Sequence, residues 1–317
     1  MCLTDKDYHY RMANKQPYRV KTITEFHRLR GLPKSEHPLI SVVDFGSFRP
    51  LPEYDSMSWV FDFYSISLKR GFSAQIKYGQ QKYDFDEGVM FFLSPGQVFK
   101  IEAEQNSGSK PSGWMLLVHP DFLWNTPLAK TIKRYEYFGY SVNEALFLSE
   151  KEEATITGII QNIQQEYHAN IDKFSQDIII AQIEVLLTYS ERFYQRQFIT
   201  RKITNHAILN RLEELLADYF NSDDLVNRGL PTVQSIAEAL NVSPNYLSGL
   251  LKVLTGQSAQ QHIHEKLIEK AKERLSTTDL SVTQIAYELG FEHPQSFSKL
   301  FKTKTNLSPS EFRHSFN

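Results

Sequence analysis

From residue 39 to about residue 119, apolar and polar side chains alternate in short runs, the two-residue period of half-buried β-strands. Residues 39–45 form a dense apolar run, 61–68 and 72–78 alternate, and 82–86, 89–93, 97–103 and 113–119 complete the series. Turn residues separate the runs at Asp86-Glu87-Gly88, Ser94-Pro95-Gly96 and Asn106-Ser107-Gly108. Short strands at that spacing predict a sandwich or barrel. Beyond Pro120 the period lengthens to that of a helix. Ile156, Ile159, Ile160, Ile163 and Tyr167 line one face of a helix over 150–168. Ile179, Ile180, Ile183, Leu186, Leu187 and Phe193 line one face of a second over 176–198. Residues 169–172 join the two, so the pair reads as an antiparallel hairpin whose Ile-rich face serves internal packing or a dimer seam. Residues 206–220 predict a further amphipathic helix, whereas 1–38 are polar and irregular apart from a short helical stretch ending at Gly31.

The last third carries one pattern twice. Ile236-Ala237-x-x-Leu240 precedes Leu247-x-x-Leu250-Leu251-Lys252, Thr255-Gly256 and Ser258. Ile285-Ala286-x-x-Leu289 precedes Phe297-x-x-Leu300-Phe301-Lys302, Thr305-Asn306 and Ser308. The offset is 49 residues before the break (236 to 285) and 50 after it (247 to 297), so the second copy has one extra residue in its turn. Positions i, i+1 and i+4, and then i, i+3 and i+4, each fall on one helical face, which makes Leu247, Leu250, Leu251, Phe297, Leu300 and Phe301 core. Two short helices joined by a tight turn form a helix-turn-helix unit, whose second helix enters the major groove of DNA. A long helix over 258–275 separates the two units.

Charge complicates that reading. The chain carries a net −2, and residues 201–317 hold 13 Lys/Arg against 13 Asp/Glu, although phosphate contacts dominate DNA affinity. The cations are unevenly spread: Lys299, Lys302 and Lys304 crowd the second copy and Arg313 follows, while Asp218, Asp223 and Asp224 lie outside both copies. A modest basic stripe with salt-sensitive affinity is the expectation. No apolar run approaches the roughly 20 residues needed to span a bilayer, and the first residues lack the layout of a secretory signal. Cys2 is the sole cysteine, so no internal disulfide or thiolate zinc site can form. These features point to the cytoplasm.

At the residues of the duplicated pattern, and at the Gly290-Phe291 turn, the chain resembles the AraC/XylS family of bacterial transcription regulators. The resemblance is specific over roughly 205–317 and looser before it, where only the order of strands then helices matches. It implies a multidomain α+β protein: a cupin-like sensing barrel or sandwich with an N-terminal arm over 1–149, a helical hairpin over 150–200 that dimerises, and a tandem helix-turn-helix domain over 201–317. The implied partners are promoter DNA, a small-molecule effector, RNA polymerase if the protein is an activator, and a second copy in a homodimer. Activation is the role the resemblance favours. The first recognition helix is expected over 244–252, presenting Asn245, Tyr246, Ser248 and Gly249, with Lys252 on phosphate. The family often has a basic or polar residue where Gly249 stands, and glycine forgoes that contact at a cost of about 1 kcal/mol of helix propensity against alanine. The second is expected over 294–304, presenting Gln295, Ser296, Ser298 and Lys299, with Lys302 on phosphate. Asn245 and Gln295 suit adenine, and Lys299 suits guanine or phosphate. His262, His264 and His293 read as surface or packing residues.

The cupin-like resemblance also raises metal chemistry, which needs several converging ligands. The stretch 78–88 where such a motif would fall holds no histidine, and Asp84, Asp86 and Glu87 read as a solvated turn, so no metal, cofactor or catalytic residue is expected. A small-molecule pocket is the stronger reading, lined by some of Phe45, Trp59, Phe61, Phe63, Tyr64 and Phe92, with Phe48 and Phe91 as further candidates. A second function stays open beside the regulator. In it the chain is a metal-free cupin-like binding or catalytic protein whose C-terminal helices contact other proteins, a reading the neutral charge and Gly249 favour.

Overall fold

Alternation in the first half resolves into two sheets rather than one. In the computed structural model, which describes residues 17–49, 58–70, 88–100, 112–140, 144–168, 172, 174–200, 202–222 and 225–315, the chain divides into two units, Met1–Gln197 and Phe198–Asn317. The strands of the first unit are β1 (Tyr18–Val20), β2 (Ile40–Asp44), β3 (Ser58–Phe61), β4 (Tyr64–Arg70), β5 (Gly88–Leu93), β6 (Val98–Lys100), β7 (Ser112–Val118) and β8 (Leu146–Leu148). A three-stranded sheet runs β1-β3-β6, and a five-stranded sheet runs β2-β7-β4-β5-β8. All pairs are antiparallel except β1 with β3. The expected strands at 72–78 and 82–86, the carboxylates Asp84, Asp86 and Glu87, and the 106–108 turn lie outside the described residues.

The barrel expectation needs correction. Among the described residues β2 and β8 are open edges of the larger sheet and β1 and β6 open edges of the smaller, so the strands do not close on themselves. Each face of the larger sheet instead meets a different cover, as the register dictates. Ser67 pairs with Met115 and Ser65 with Leu117, and these rows share a side with Val43. Val43, Met115 and Leu117 pack with Tyr18, Val20, Trp59 and Phe61 of the small sheet and with Ile23 and Phe26 of helix α1 (Ile23–Arg30). The Thr22 side chain caps α1 and Gly31, in the left-handed region at φ 67°, ends it. His27 is buried on that helix, with Nδ1 2.6 Å from the Pro33 carbonyl and Nε2 2.9 Å from Ser41 Oγ, which pins α1 to β2.

The opposite face, with Ile66, Leu68, Leu116 and Phe92, is buried on the side of the helices. After a short helix α2 (Leu128–Thr131) come the two long ones, α3 (Glu150–His168) and α4 (Ser175–Thr200). Phe92 packs against Tyr137 and Phe138, and Tyr137 donates its hydroxyl to the Leu187 carbonyl of α4 (2.8 Å). Arg196 of α4 donates to the Phe147 carbonyl and to Glu152 of α3, locking the helix pair onto β8. Ile156, Ile159, Ile160, Ile163, Ile179, Ile180, Ile183, Leu186 and Leu187 are all buried here. The Ile-rich face is therefore internal packing and not a dimer seam.

The second unit is all helical: α5 (Lys202–Asn221), α6 (Leu225–Arg228), α7 (Val233–Ala239), α8 (Pro244–Thr255), α9 (Ala259–Thr277), α10 (Val282–Glu288), α11 (Pro294–Thr305) and α12 (Pro309–His314). Ile263, Leu267, Ile268, Ala271 and Leu275 give α9 a buried stripe at helical spacing, which makes it the spine of this unit. No helix among the described residues is long and apolar enough to cross a membrane.

Candidate nucleic-acid interface

The duplicated pattern folds into two units whose turns match bond for bond. In the first, Leu240, Asn241 and Val242 donate their backbone N–H groups to the carbonyls of Ile236, Glu238 and Ala237 at 3.0 Å each. In the second, Leu289, Gly290 and Phe291 donate to Ile285, Tyr287 and Ala286 at 2.9, 2.9 and 3.0 Å. Asn241 at φ 57° and Gly290 at φ 83° hold the same left-handed corner, which asparagine and glycine reach most cheaply. The extra residue of the second copy follows that corner, so Pro244 directly succeeds a capping Ser243, whereas Pro294 follows Glu292 and a His293 whose side chain caps nothing.

The recurring Thr-Gly/Asn-x-Ser signature is the exit from each recognition helix. Thr255 donates its hydroxyl to the Leu251 carbonyl and accepts from the Gln257 N–H. Thr305 donates to the Phe301 carbonyl and accepts from the Leu307 N–H. Gly256 (φ 74°) and Asn306 (φ 62°) then turn the chain, and Ser258 and Ser308 open the next helices with reciprocal capping boxes to Gln261 and Glu311. Thr255 Oγ1 also lies 2.9 Å from His262 Nε2, so that histidine serves packing. Neither threonine figured among the sequence-predicted site residues, yet their identical spacing after both copies was the available signal.

The hydrophobic faces lie inward. Leu247, Leu250, Leu251, Phe297 and Phe301 are buried, while Leu300 is only partly so. On α8 Asn245 and Lys252 are exposed, and Ser248 and Gly249 half-buried. Tyr246 departs from expectation: it is 4% exposed, with its ring packed edge-on against Phe198 at 5.1 Å. One residue before Leu247 and four before Leu250, it belongs to the inner rim of the helix, so it presents no surface to a groove. Helix α8 also runs on to Thr255, three residues beyond the expected end.

On α11 Gln295, Ser296, Lys299, Lys302 and Lys304 are exposed. Ser298 is half-buried and spends its hydroxyl proton on the Pro294 carbonyl one turn back (3.1 Å). Lys302 also acts on α12, where Glu311 accepts from the Ser308 N–H at 2.6 Å. That backbone bond, the Ser308 hydroxyl and then Lys302 hold the Glu311 carboxyl below its usual range. Arg313, expected in the basic stripe, instead donates to the carbonyls of Leu275 (3.2 Å) and Leu280 (2.6 Å), tying the end of α12 to the end of α9. Two of the four cations of α9 are likewise engaged, with Lys266 on Glu269 and Lys270 on Glu273 at 2.8 and 2.9 Å. The neutral sum over 201–317 thus hides a division: two of the spine helix's four cations are paired within it, and three exposed lysines gather on α11.

The six aromatics expected to line an effector pocket do not converge. Phe45, Trp59, Phe61 and Phe63 belong to the cluster between the sheets, where Phe61 and Phe63 stack at 4.9 Å. Tyr64 and Phe92 lie on the helix-covered face, each against Phe138, at 5.3 and 5.7 Å. The chain passes from β3 of the small sheet at Phe61 to β4 of the larger one at Tyr64, and the two groups end on opposite faces of the larger sheet.

Residues 236–315 match the family model described as a helix-turn-helix domain. The C-terminal unit belongs to the AraC/XylS helix-turn-helix family. It is similar to the uncharacterized transcriptional regulatory protein YesN of Bacillus subtilis, 35% identical over 109 residues. That match covers 34% of this chain and 28% of the relative, so the chain spans under a third of YesN's length. The lactose operon transcription activator of Staphylococcus xylosus is 24% identical over 233 residues, covering 73% of this chain and 79% of that one. Among solved structures, the C-terminal domain of AraT, a response regulator from Geobacillus stearothermophilus, is 33% identical over 34% of this chain and 84% of its own, with a TM-score of 0.30.

Proposed function

We propose that this chain is a sequence-specific regulator of transcription that binds promoter DNA through both helix-turn-helix units. The observation that carries the reading is the pair of matched units, each with a polar helix face turned to solvent and an apolar face turned to the core. Helix α8 offers Asn245, Ser248 and the backbone beside Gly249 to base edges, with Lys252 toward phosphate. Helix α11 offers Gln295, Ser296 and Lys299, with Lys302 and Lys304 toward phosphate, so the second unit supplies most of the salt-sensitive affinity. Successive major-groove segments lie about 34 Å apart, a register that α9 sets between the two units. Activation, with RNA polymerase as partner, is the role favoured by the similarity to the lactose operon transcription activator of Staphylococcus xylosus. The first unit serves effector sensing and homodimerisation in the cytoplasm, and no catalytic step is assigned to it.

The test is a titration of the full chain against DNA from upstream of its own and neighbouring genes, at several salt concentrations. Tight binding to one fragment, with protection of two adjacent major-groove segments, is expected. Weak, uniform binding that salt abolishes for every fragment, with and without cell-extract small molecules, would sink the reading.

A further inference from the structure

Where the end of β4 meets helix α3 there is a cleft of about 560 Å³. Helix α3 supplies one wall with Glu150, Glu153, Thr157, Gly158 and Gln161, whose spacing keeps them on one helical face. Arg70, the last residue of β4, forms the other. Glu153 is 8% exposed and accepts from Arg70 Nε. Gly88, which opens β5, makes room for that carboxylate: a methyl group there would lie 2.5 Å from Glu153 Oε2. The two terminal nitrogens of Arg70 have no partner among the described residues, and the side chain is 44% exposed. Glu150 is exposed and likewise unpaired among the described residues. The Thr157 hydroxyl is buried and bonds to nothing there. Thr155, two positions earlier, gives its proton to the Lys151 carbonyl one turn back, the usual resort of a helical threonine. Gly158 is the other anomaly. A methyl group on it would touch nothing within 4 Å, so packing does not demand the glycine, although glycine weakens a helix interior.

We propose that this cleft binds a free α-amino acid, its carboxylate on the terminal nitrogens of Arg70 and its ammonium on Glu150. The proposal rests on the reading of the first unit as the sensing unit and names the class of its ligand. The carboxylate also accepts the Thr157 proton, and the ligand side chain lies over Gly158 toward Gln161. Unpaired groups of opposite sign select the class. Glu150 stands three residues, about 4.5 Å of helix rise, before the carboxylate that holds Arg70, so one small molecule with both charges reaches both. An anion alone leaves Glu150 unanswered and meets a cation already shared with Glu153. A cation alone leaves the fork of Arg70 bare, and a neutral sugar brings no counter-charge to either group. A fatty or aromatic ligand finds no apolar wall, because Ala154 and Gly158 are the only non-polar residues among the described lining. None of the six aromatics first expected around a pocket borders this cleft.

Isothermal titration of the full chain, with no DNA present, against each standard amino acid in turn is the test. At least one is expected to bind with a dissociation constant below about 1 mM. Its N-acetyl and carboxamide forms, each lacking one charge, should bind about tenfold more weakly or worse, and so should the acid itself to Arg70→Gln or Glu150→Gln. Gly158→Leu fills the cleft and should abolish binding while the melting temperature holds or rises, since the new side chain enters open space. Thr157→Val keeps the shape without the hydroxyl, so binding should weaken while the melting temperature of the free chain holds or rises. Absence of binding by every amino acid overturns the proposal. Binding that survives both Arg70→Gln and Gly158→Leu overturns the site. Undiminished binding of the N-acetyl or carboxamide form, or binding of neutral sugars instead, overturns the ligand class. Binding at this site that leaves promoter affinity unchanged removes the sensing role alone and keeps the site and its ligand. Failure of the wild type to bind promoter DNA bears on the proposed function and leaves the titration outcomes unchanged.

Discussion

Gly290 stands with its α-carbon against the backbone of Gly229: a methyl group on Gly290 would lie 3.0 Å from the Gly229 carbonyl carbon and 3.2 Å from the Leu225 carbonyl oxygen. The corner of the second helix-turn-helix is thus fixed both by its φ of +83° and by a neighbouring segment that leaves no room for a side chain. Asn241, at the matching corner of the first unit, carries a side chain at φ 57°. Gly290→Ala should therefore destabilise the second unit by about 1–3 kcal/mol, from left-handed strain plus backbone displacement. Gly256→Ala, with φ +74° but open space around it, should cost about 1 kcal/mol. Denaturant unfolding of the two variants checks the order, and equal losses would remove the role given to Gly229.

Period was the readable part of this chain. Apolar spacing located the two long helices, the spine helix and both helix-turn-helix units to within a few residues, because each buries one stripe along a regular element. Which covering layer each strand face meets was not readable, because β-alternation states that neighbours part and never says what waits on either side. Phe63 and Tyr64 illustrate this: adjacent in sequence, they serve cores on opposite faces of the larger sheet. Tyr246 failed for a related reason. Amphipathic tyrosine at the edge of an apolar stripe fits either side, and the Phe198 ring that decides the matter comes from 48 positions earlier (246 − 198 = 48).

Because Tyr246 is packed inside, its replacement should act through folding and not through base reading. Tyr246→Ala should cost about 3–5 kcal/mol of stability in the second unit. Tyr246→Phe keeps the ring and should leave the preferred DNA sequence unchanged. Thermal unfolding paired with a competition assay against randomised sites separates the two. A changed sequence preference in the folded phenylalanine variant would return Tyr246 to the interface.

On α11 the exposed residues divide by chemistry. Gln295→Ala should relax discrimination at one base pair by about 1–3 kcal/mol while leaving the salt dependence of binding intact. Lys302→Ala and Lys304→Ala should weaken binding to all sequences alike, each lowering the slope of log affinity against log salt by about 1. Lys299→Ala is expected to do some of both. Titrations at four or more salt concentrations on matched and scrambled sites read both quantities. If the lysine variants left the slope untouched, the second unit would not be the electrostatic anchor.

His264 connects this face to pH. Burial first, and then the charge of Lys304 on α11, lower its pKa below the ordinary 6.5. Its ring lies 2.8 Å from the Gln260 side-chain amide, a contact that suits the neutral form with Nε2 accepting. As pH falls, the unfolded chain binds this proton before the folded chain does. Folding is therefore fully favoured above about pH 6.5 and loses stability from there down to the lowered folded value, where the loss levels off. His264→Gln removes the group, so the melting temperature of the variant should fall less than that of the wild type between about pH 7.5 and about pH 5.5. Lys304→Ala should act in the same direction by a smaller amount, because it withdraws the second cause and leaves burial in place. Differential scanning calorimetry across that window measures both, and a wild-type curve that the His264 variant reproduces at every pH would show that the proton is taken up elsewhere.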